Sequence, residues 1–229
     1  MLYPVLVLIF LCSLVLLPAS LLAISATSSL RARWRRRLGS AAAVWYSGYL
    51  AFIVLGTGPS DRSIYPSAAD SPYRLPWQPQ VRRWVAQGNR SFTSHRGSHL
   101  FAWDFYMPIG TPVLAARTGR VVEVDDHLDG IGWKANLVMV EHDDGTRAGY
   151  AHLQKGSAVV EMGDEVHRGQ MLARSGMVGQ TLFPHLHFFV LEAQGEASIP
   201  ISFGEVAGGV PLAGHFYTSD NRPEDGGPP

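Results

Sequence analysis

The sequence predicts a mostly β fold: a compact antiparallel β-sheet domain preceded by an N-terminal pair of transmembrane helices. Three observations carry that expectation. From residue 111 onward the apolar segments are short, rich in Val, Ile and Leu, and punctuated by glycine, as strands are. One stretch, VMVEH-DDG-TRAGYAHL, has the form of a hairpin with Asp143, Asp144 and Gly145 at its turn. Two charge-free apolar runs stand before residue 61, separated by five arginines.

The first run, residues 1–30, is the expected first membrane helix. About 20 apolar residues cross the hydrocarbon core, and Leu2 to Ala26 supplies them. The opening MLYP lacks the basic side chain of a cleaved signal peptide, so a retained anchor is expected. Residues 31–37 hold Arg31, Arg33, Arg35, Arg36 and Arg37, and basic loops stay on the cytoplasmic side. Residues 38–58 are the expected second span, with Trp45, Tyr46 and Tyr49 suited to an interfacial belt. The hairpin makes this a multi-pass protein of the cytoplasmic (inner) membrane, with everything after residue 60 on the extracytoplasmic side.

Residues 59–80 are crowded with Pro, Ser and Asp, show no apolar period, and read as a linker. The folded domain is expected over 81–205. Its strands are sought in TPVLAAR, GRVVEVDDH, ANLVMVEH, TRAGYAHL, MLARSG, HLHFFVLE and IPISF, and it holds neither an amphipathic stretch of helical length nor a repeat. Residues 206–229, ending in NRPEDGGPP, read as a partly disordered tail.

The formal charge of zero hides an asymmetry. All charged residues before Asp61 are arginines, which leaves 14 basic against 19 acidic groups in the remainder. A net-acidic domain without any nucleic-acid-binding motif excludes a basic nucleic-acid surface. The single cysteine, Cys12, lies in an apolar run, which excludes an internal disulfide, a thiolate zinc cluster and cysteine catalysis.

The sharpest local feature is Pro184-His185-Leu186-His187-Phe188. On a strand, positions i and i+2 share a face, so His185 and His187 project together while Leu186 and Phe188 face the core. Two imidazoles side by side suit metal coordination, or one ligand beside a general base. His152 closes the neighbouring strand GYAHL. Upstream, His95 and His99 precede Asp104, which sits among Phe101, Trp103 and Phe105, where an unpaired carboxylate is costly to bury. A metal ion is a natural partner for it. Catalytic zinc takes three protein ligands from His and carboxylate and keeps a position open. His, Asp and His would make that set, leaving two histidines to handle protons. The helical H-E-x-x-H motif is absent, so the scaffold differs from the zincins.

The words SHRG, AWDFYMPIGTPVLAARTGRVV, NLVMVEHDDGTRAGYAHL, GDEVHRGQMLARSG and FPHLHF, in that order over residues 85–203, resemble the lysostaphin-type (LytM-like) zinc metallopeptidases. The resemblance implies a compact antiparallel β domain with a groove across its sheet. It also implies a zinc metalloendopeptidase acting on the peptides of cell-wall peptidoglycan, with 81–205 as the peptidase domain. Position by position, it implies Asp104 and His187 as zinc ligands and His185 and His152 as catalytic. His95 is the third ligand, with His99 as its rival, because the slot four residues before the aspartate is Leu100. Between the catalytic pair, His185 is assigned as base and His152 as the group hydrogen-bonding the oxyanion or water, an assignment that can be exchanged. Met177, Leu182 and Phe183 make the loop before PHLHF more apolar than the family's usual Asn, Thr and Gly. The alternatives are a module that activates other wall hydrolases, with a regulatory protein partner, and a peptidase acting on a protein substrate.

The other polar groups have plainer readings. His127, His167 and His215 are expected at the surface, and His142 is structural. Glu141 and Asp143 belong to a solvated hairpin tip. Asn136 satisfies backbone groups, and Tyr150 is expected on the same strand face as His152, as a packing residue or an aid at the oxyanion.

Overall fold

The computed structural model describes residues 61–91 and 93–223. Both apolar runs, the arginine loop and the last six residues lie outside the described residues, and with them the expected helix pair. Among the described residues no helix is long and apolar enough to cross a membrane.

The domain is an antiparallel β structure of ten strands: β1 (Arg82–Gln87), β2 (Trp103–Tyr106), β3 (Pro112–Leu114), β4 (Gly119–Asp125), β5 (Leu137–Glu141), β6 (Arg147–Ala151), β7 (Glu165–Val166), β8 (Met171–Arg174), β9 (His185–Leu191) and β10 (Phe216–Thr218). Eight of them form one sheet in the order β10-β1-β2-β9-β6-β5-β4-β7, and β3 pairs with β8 in a second, small sheet. The hairpin read from Asp143–Gly145 joins β5 to β6, with Glu141 opposite Arg147.

The alternation of side chains along β2 and β9 builds both the core and the site. Trp103 and Phe105 of β2, and Leu186 and Phe188 of β9, are fully buried on one face. Their rings pack with Phe203 and Tyr150. The intervening residues Asp104 and His187 are direct cross-strand partners on the other face, and Ala151 of β6 lies opposite His187 in the same row.

Two segments differ from expectation. Residues 61–80 are not a free linker: Tyr65, Tyr73, Leu75 and Trp77 are buried in the main core. The Trp77 indole donates to the Val81 carbonyl, and the amides of Leu75 and Arg74 bond to Glu205 and to the Ala116 carbonyl. Apart from the 3-10 turn Ala68–Asp70 the stretch forms no helix or strand, so its aromatic anchors follow no period, yet they bury as a strand's would. The expected tail is likewise ordered through residue 223. Val206 and Val210 enter the core, β10 pairs with β1, and the buried Asn221 donates to Ala115. Conversely, IPISF is not a strand. Ile201 and Phe203 are buried from an irregular segment attached to β9 by the Ser198–Leu191 bridge.

Candidate metal centre and catalytic face

Asp104 is the centre of the site. It lies on β2, almost fully buried, because its strand neighbours commit their rings to the opposite face. Three imidazole nitrogens converge on its Oδ1: Nδ1 of His187 at 2.8 Å, Nε2 of His95 at 3.2 Å and Nε2 of His185 at 3.4 Å. His187 is delivered by register, as the partner of Asp104 on β9. His185 is two residues before it on the same strand, as the H-x-H spacing predicts. His95 arrives from the β1–β2 loop and is completely buried.

Three of the histidines are oriented by the backbone. Nδ1 of His95 lies 2.7 Å from the Gly88 carbonyl, that of His152 lies 2.7 Å from Val178, and that of His185 lies 2.8 Å from Phe183. A carbonyl only accepts, so in all three Nδ1 carries the proton and donates it, and Nε2 holds a lone pair in the neutral ring. Thr181 adds a hydroxyl 3.1 Å from His185 Nδ1.

His152 reaches the site by an unexpected route. β6 ends at Ala151, and His152 has a φ of 63°. That left-handed residue breaks the strand alternation and turns the imidazole to the Asp104 face, where its ring centroid is 4.6 Å from His185 and 5.8 Å from His187. Tyr150, expected beside it, instead lies fully buried on the core side, packs on Phe188 and accepts a hydrogen bond from the Ala116 amide. It is a packing residue and takes no part at the oxyanion.

The loop between β8 and β9 fits closely against what precedes it. Gly179, at φ 94°, leaves no room for a side chain, since a Cβ there would stand 2.8 Å from Ala135. This approach brings the Val178 carbonyl to His152. Asn136 completes the clamp as expected, accepting from Leu128 and donating to the carbonyls of Leu128 and Leu153.

His99 has a different place from His95. It ends the short 3-10 turn Gly97–His99, and its Nδ1 lies 3.4 Å from the far nitrogen of His187, with its ring edge-on to Phe189. It backs His187 and does not face Asp104. His127, His167 and His215 are exposed, and His142 is buried away from Asp104 against Tyr73, all as expected.

The electrostatics follow from this crowding. Burial opposes ionisation of Asp104, but the charges of His95 and His185 and the hydrogen bonds of His185 and His187 hold its carboxyl well below the usual range. Burial, reinforced by neighbouring imidazoles, pulls His187 down to about 3 and His152 to about 4. At His185 burial acts the same way but is outweighed by Asp104, and the shift is upward.

His95, Asp104 and His187 fit a metal ion. Their ligand atoms lie within 4.8 Å of one another, in a His/Asp/His set of borderline and hard donors. The lone pair of His95 Nε2 points at a carboxylate oxygen, acceptor against acceptor, and a cation between them resolves that conflict.

Residues 98–200 match the sequence family described as peptidase family M23. That stretch is an M23 peptidase domain. Over 127 residues the chain is 33% identical to the glycyl-glycine endopeptidase ALE-1 of Staphylococcus capitis, covering 56% of this chain and 34% of that protein. It is 33% identical over 121 residues to lysostaphin of Staphylococcus simulans, covering 53% and 24%. It is also 39% identical over 88 residues to the peptidoglycan DD-endopeptidase ShyB of Vibrio cholerae, covering 38% and 19%. The chain thus spans about a third or less of the length of these relatives. The match is to a peptidase family, and the His/Asp/His group suits the expected cofactor, zinc.

Several supporting groups had no signal in the sequence. Carbonyls that orient imidazoles are invisible to residue type, and Thr181, Gln87 and Asn89 look like ordinary loop or strand polar residues until the fold buries them.

Proposed function

We propose that the protein is a membrane-anchored, extracytoplasmic zinc metalloendopeptidase that hydrolyses peptide bonds of cell-wall peptidoglycan. The observation that carries this reading is the pairing of two sets of imidazoles at Asp104. His95 and His187 complete a three-residue ligand group with it, and His152 and His185 stand beside that group with Nε2 turned inward. The similarity to a glycyl-glycine endopeptidase and a peptidoglycan DD-endopeptidase supports the substrate class, and the two charge-free runs flanking the arginines support the anchor.

In this reading His95, Asp104 and His187 hold the ion. When bound, zinc polarises a scissile carbonyl and lowers the pKa of a water from about 15.7 towards about 7. The chain's own part is proton handling and orientation. Of His152 and His185, each fixed by Nδ1–H on a carbonyl, one accepts a proton at Nε2 from the attacking water and returns it to the leaving amine. The protonated partner donates to the oxygen on which charge develops. The imidazoles around Asp104, acting against its burial, keep it ionised and unavailable as a competing acid.

The test is digestion of purified peptidoglycan by the full chain in detergent, with mass spectrometry of the released peptides. Cleavage that a zinc chelator stops and that His187→Ala lacks is expected. A folded, zinc-loaded protein that releases nothing overturns autonomous wall hydrolysis and points to the activating module or to a protein substrate.

A further inference from the structure

The first metal-binding histidine hangs on a loop that the family match does not include. His95 lies three residues before the matched stretch begins at residue 98, and the described residues between β1 and the 3-10 turn at Gly97 form no helix or strand. A ligand so placed needs other groups to fix it, and the structure supplies a connected set of them.

The carbonyl that orients His95 belongs to Gly88, and both neighbours of Gly88 are tied down by buried side chains. Gln87, opposite Asp104 in the β1–β2 pairing, bonds through its amide to Ser94 and to Thr93, and Thr93 bonds in turn to Ser91. Asn89 is 1% exposed. In the amide orientation that satisfies every group around it, its nitrogen donates to the carbonyls of Ala102 at 2.8 Å and Phe101 at 3.0 Å. Its oxygen accepts from the Tyr65 hydroxyl at 3.0 Å. Asn89 therefore joins the two ends of the His95 loop, and the Arg90 amide closes the same neck on Leu100. Tyr65 comes from the segment ahead of β1. Its ring is buried edge-on against Phe101, and burial raises its phenol, so it stays a donor.

We infer that Tyr65, with Asn89, is a positioning residue for the metal centre: the tyrosine hydroxyl fixes Asn89, Asn89 pins the neck of the loop and the Gly88 carbonyl, and that carbonyl aims His95 at Asp104. This rests on the reading of His95 as a ligand. It makes the short stretch between the expected membrane span and β1 a working part of the site. Partners that orient metal ligands from outside the first shell are worth about 10–100-fold in metal affinity, and a hydroxyl acting through Asn89 belongs at the lower end.

The experiment is zinc affinity of the full chain by chelator competition, with the d–d spectrum of the cobalt-substituted protein as a second readout, for Tyr65→Phe, Asn89→Ala and Tyr73→Phe. Tyr65→Phe keeps the ring against Phe101 and removes only the hydroxyl. Tyr73→Phe removes a hydroxyl from the same segment whose partners are Thr146 and Arg117, both far from the His95 loop in sequence. The expected result is a Kd for zinc raised about tenfold by Tyr65→Phe, with an altered cobalt spectrum. Asn89→Ala should lose at least as much, and Tyr73→Phe should stay within about twofold of the unsubstituted chain. Unchanged affinity and spectrum in folded Tyr65→Phe overturn the inference, and so does an equal loss in Tyr65→Phe and Tyr73→Phe, which would mark general destabilisation. If Asn89→Ala does not fold, Tyr65→Phe alone decides. No peptidoglycan is present, so failure here is distinct from failure of the proposed hydrolysis. An unsubstituted chain that binds no zinc would overturn the ligand reading itself.

Discussion

His142, directly after β5, and His95, His152 and His185, around Asp104, all place Nδ1 within 2.9 Å of a backbone carbonyl. The four rings are therefore held in the same tautomer by the same local device. What faces Nε2 differs. At the site it is a carboxylate or another imidazole. At His142 the Nε2 is buried with no hydrogen-bond partner among the described residues, and the ring lies edge-on to Tyr73. Orienting an imidazole by a carbonyl is thus a common packing solution in this fold, and it becomes chemistry only where Asp104 stands opposite.

The largest effect should come from removing that difference. Asp104→Ala leaves the three carbonyl-oriented imidazoles of His95, His152 and His185 with no carboxylate to gather a cation. We expect both zinc binding and peptide release from peptidoglycan to vanish, read by metal analysis of the purified protein and by mass spectrometry of the digest. Retained stoichiometric zinc in folded Asp104→Ala would break the comparison at its centre.

Next come the two histidines proposed to move protons. His152→Ala and His185→Ala should each lower the cleavage rate by roughly 10²–10⁴, the usual worth of general acid–base catalysis, while zinc content stays near one ion per chain. A variant that loses zinc as well belongs with the ligands.

His142 should behave in the opposite way. Burial pulls its pKa from 6.5 down to about 4, with the Arg117 charge assisting and the Thr118 carbonyl opposing. A depressed folded value means that the unfolded chain binds the extra proton first as the pH falls. The stability that goes with neutral His142 is then present in full above about pH 6.5 and is lost as the pH drops through about 4. The difference is on the order of 3 kcal/mol. His142→Leu should flatten that part of the Tm-against-pH curve and leave cleavage at neutral pH unchanged. An equally steep curve in the variant would show that the acid sensitivity comes from elsewhere.

The smallest effect sharpens the boundary between site and core. Tyr150→Phe strips the partner from the buried Ala116 amide, which costs about 1–3 kcal/mol, and should not touch catalysis. A drop in cleavage rate with unchanged Tm would place Tyr150 on the wrong face in the present account.

Much of this site was legible in the sequence because strand periodicity is local. His185 and His187 share a face, and Leu186 and Phe188 fill the core, as alternation alone requires. Asp104 between Trp103 and Phe105 follows the same rule on a second strand. The hairpin at Asp143–Gly145 was equally open to reading. Alternation failed at His152, where a single left-handed residue reverses the face after Ala151, so the partnership expected with Tyr150 did not form. The choice between His95 and His99 depended on the path of an irregular loop, which no period describes. The segment ahead of β1 was misread for a related reason: Tyr65, Tyr73, Leu75 and Trp77 are anchors spaced by prolines, and only the tertiary fold shows what they bury against.

We expect one ion among His95, Asp104 and His187, with His152, His185 and His99 outside its ligand set. Anomalous diffraction at the zinc edge from crystals of the zinc-loaded protein tests it most directly. A single peak is expected within about 2.0–2.2 Å of His95 Nε2, an Asp104 oxygen and His187 Nδ1. A peak bound by His99 in place of His95, or no peak beside Asp104, would contradict the account.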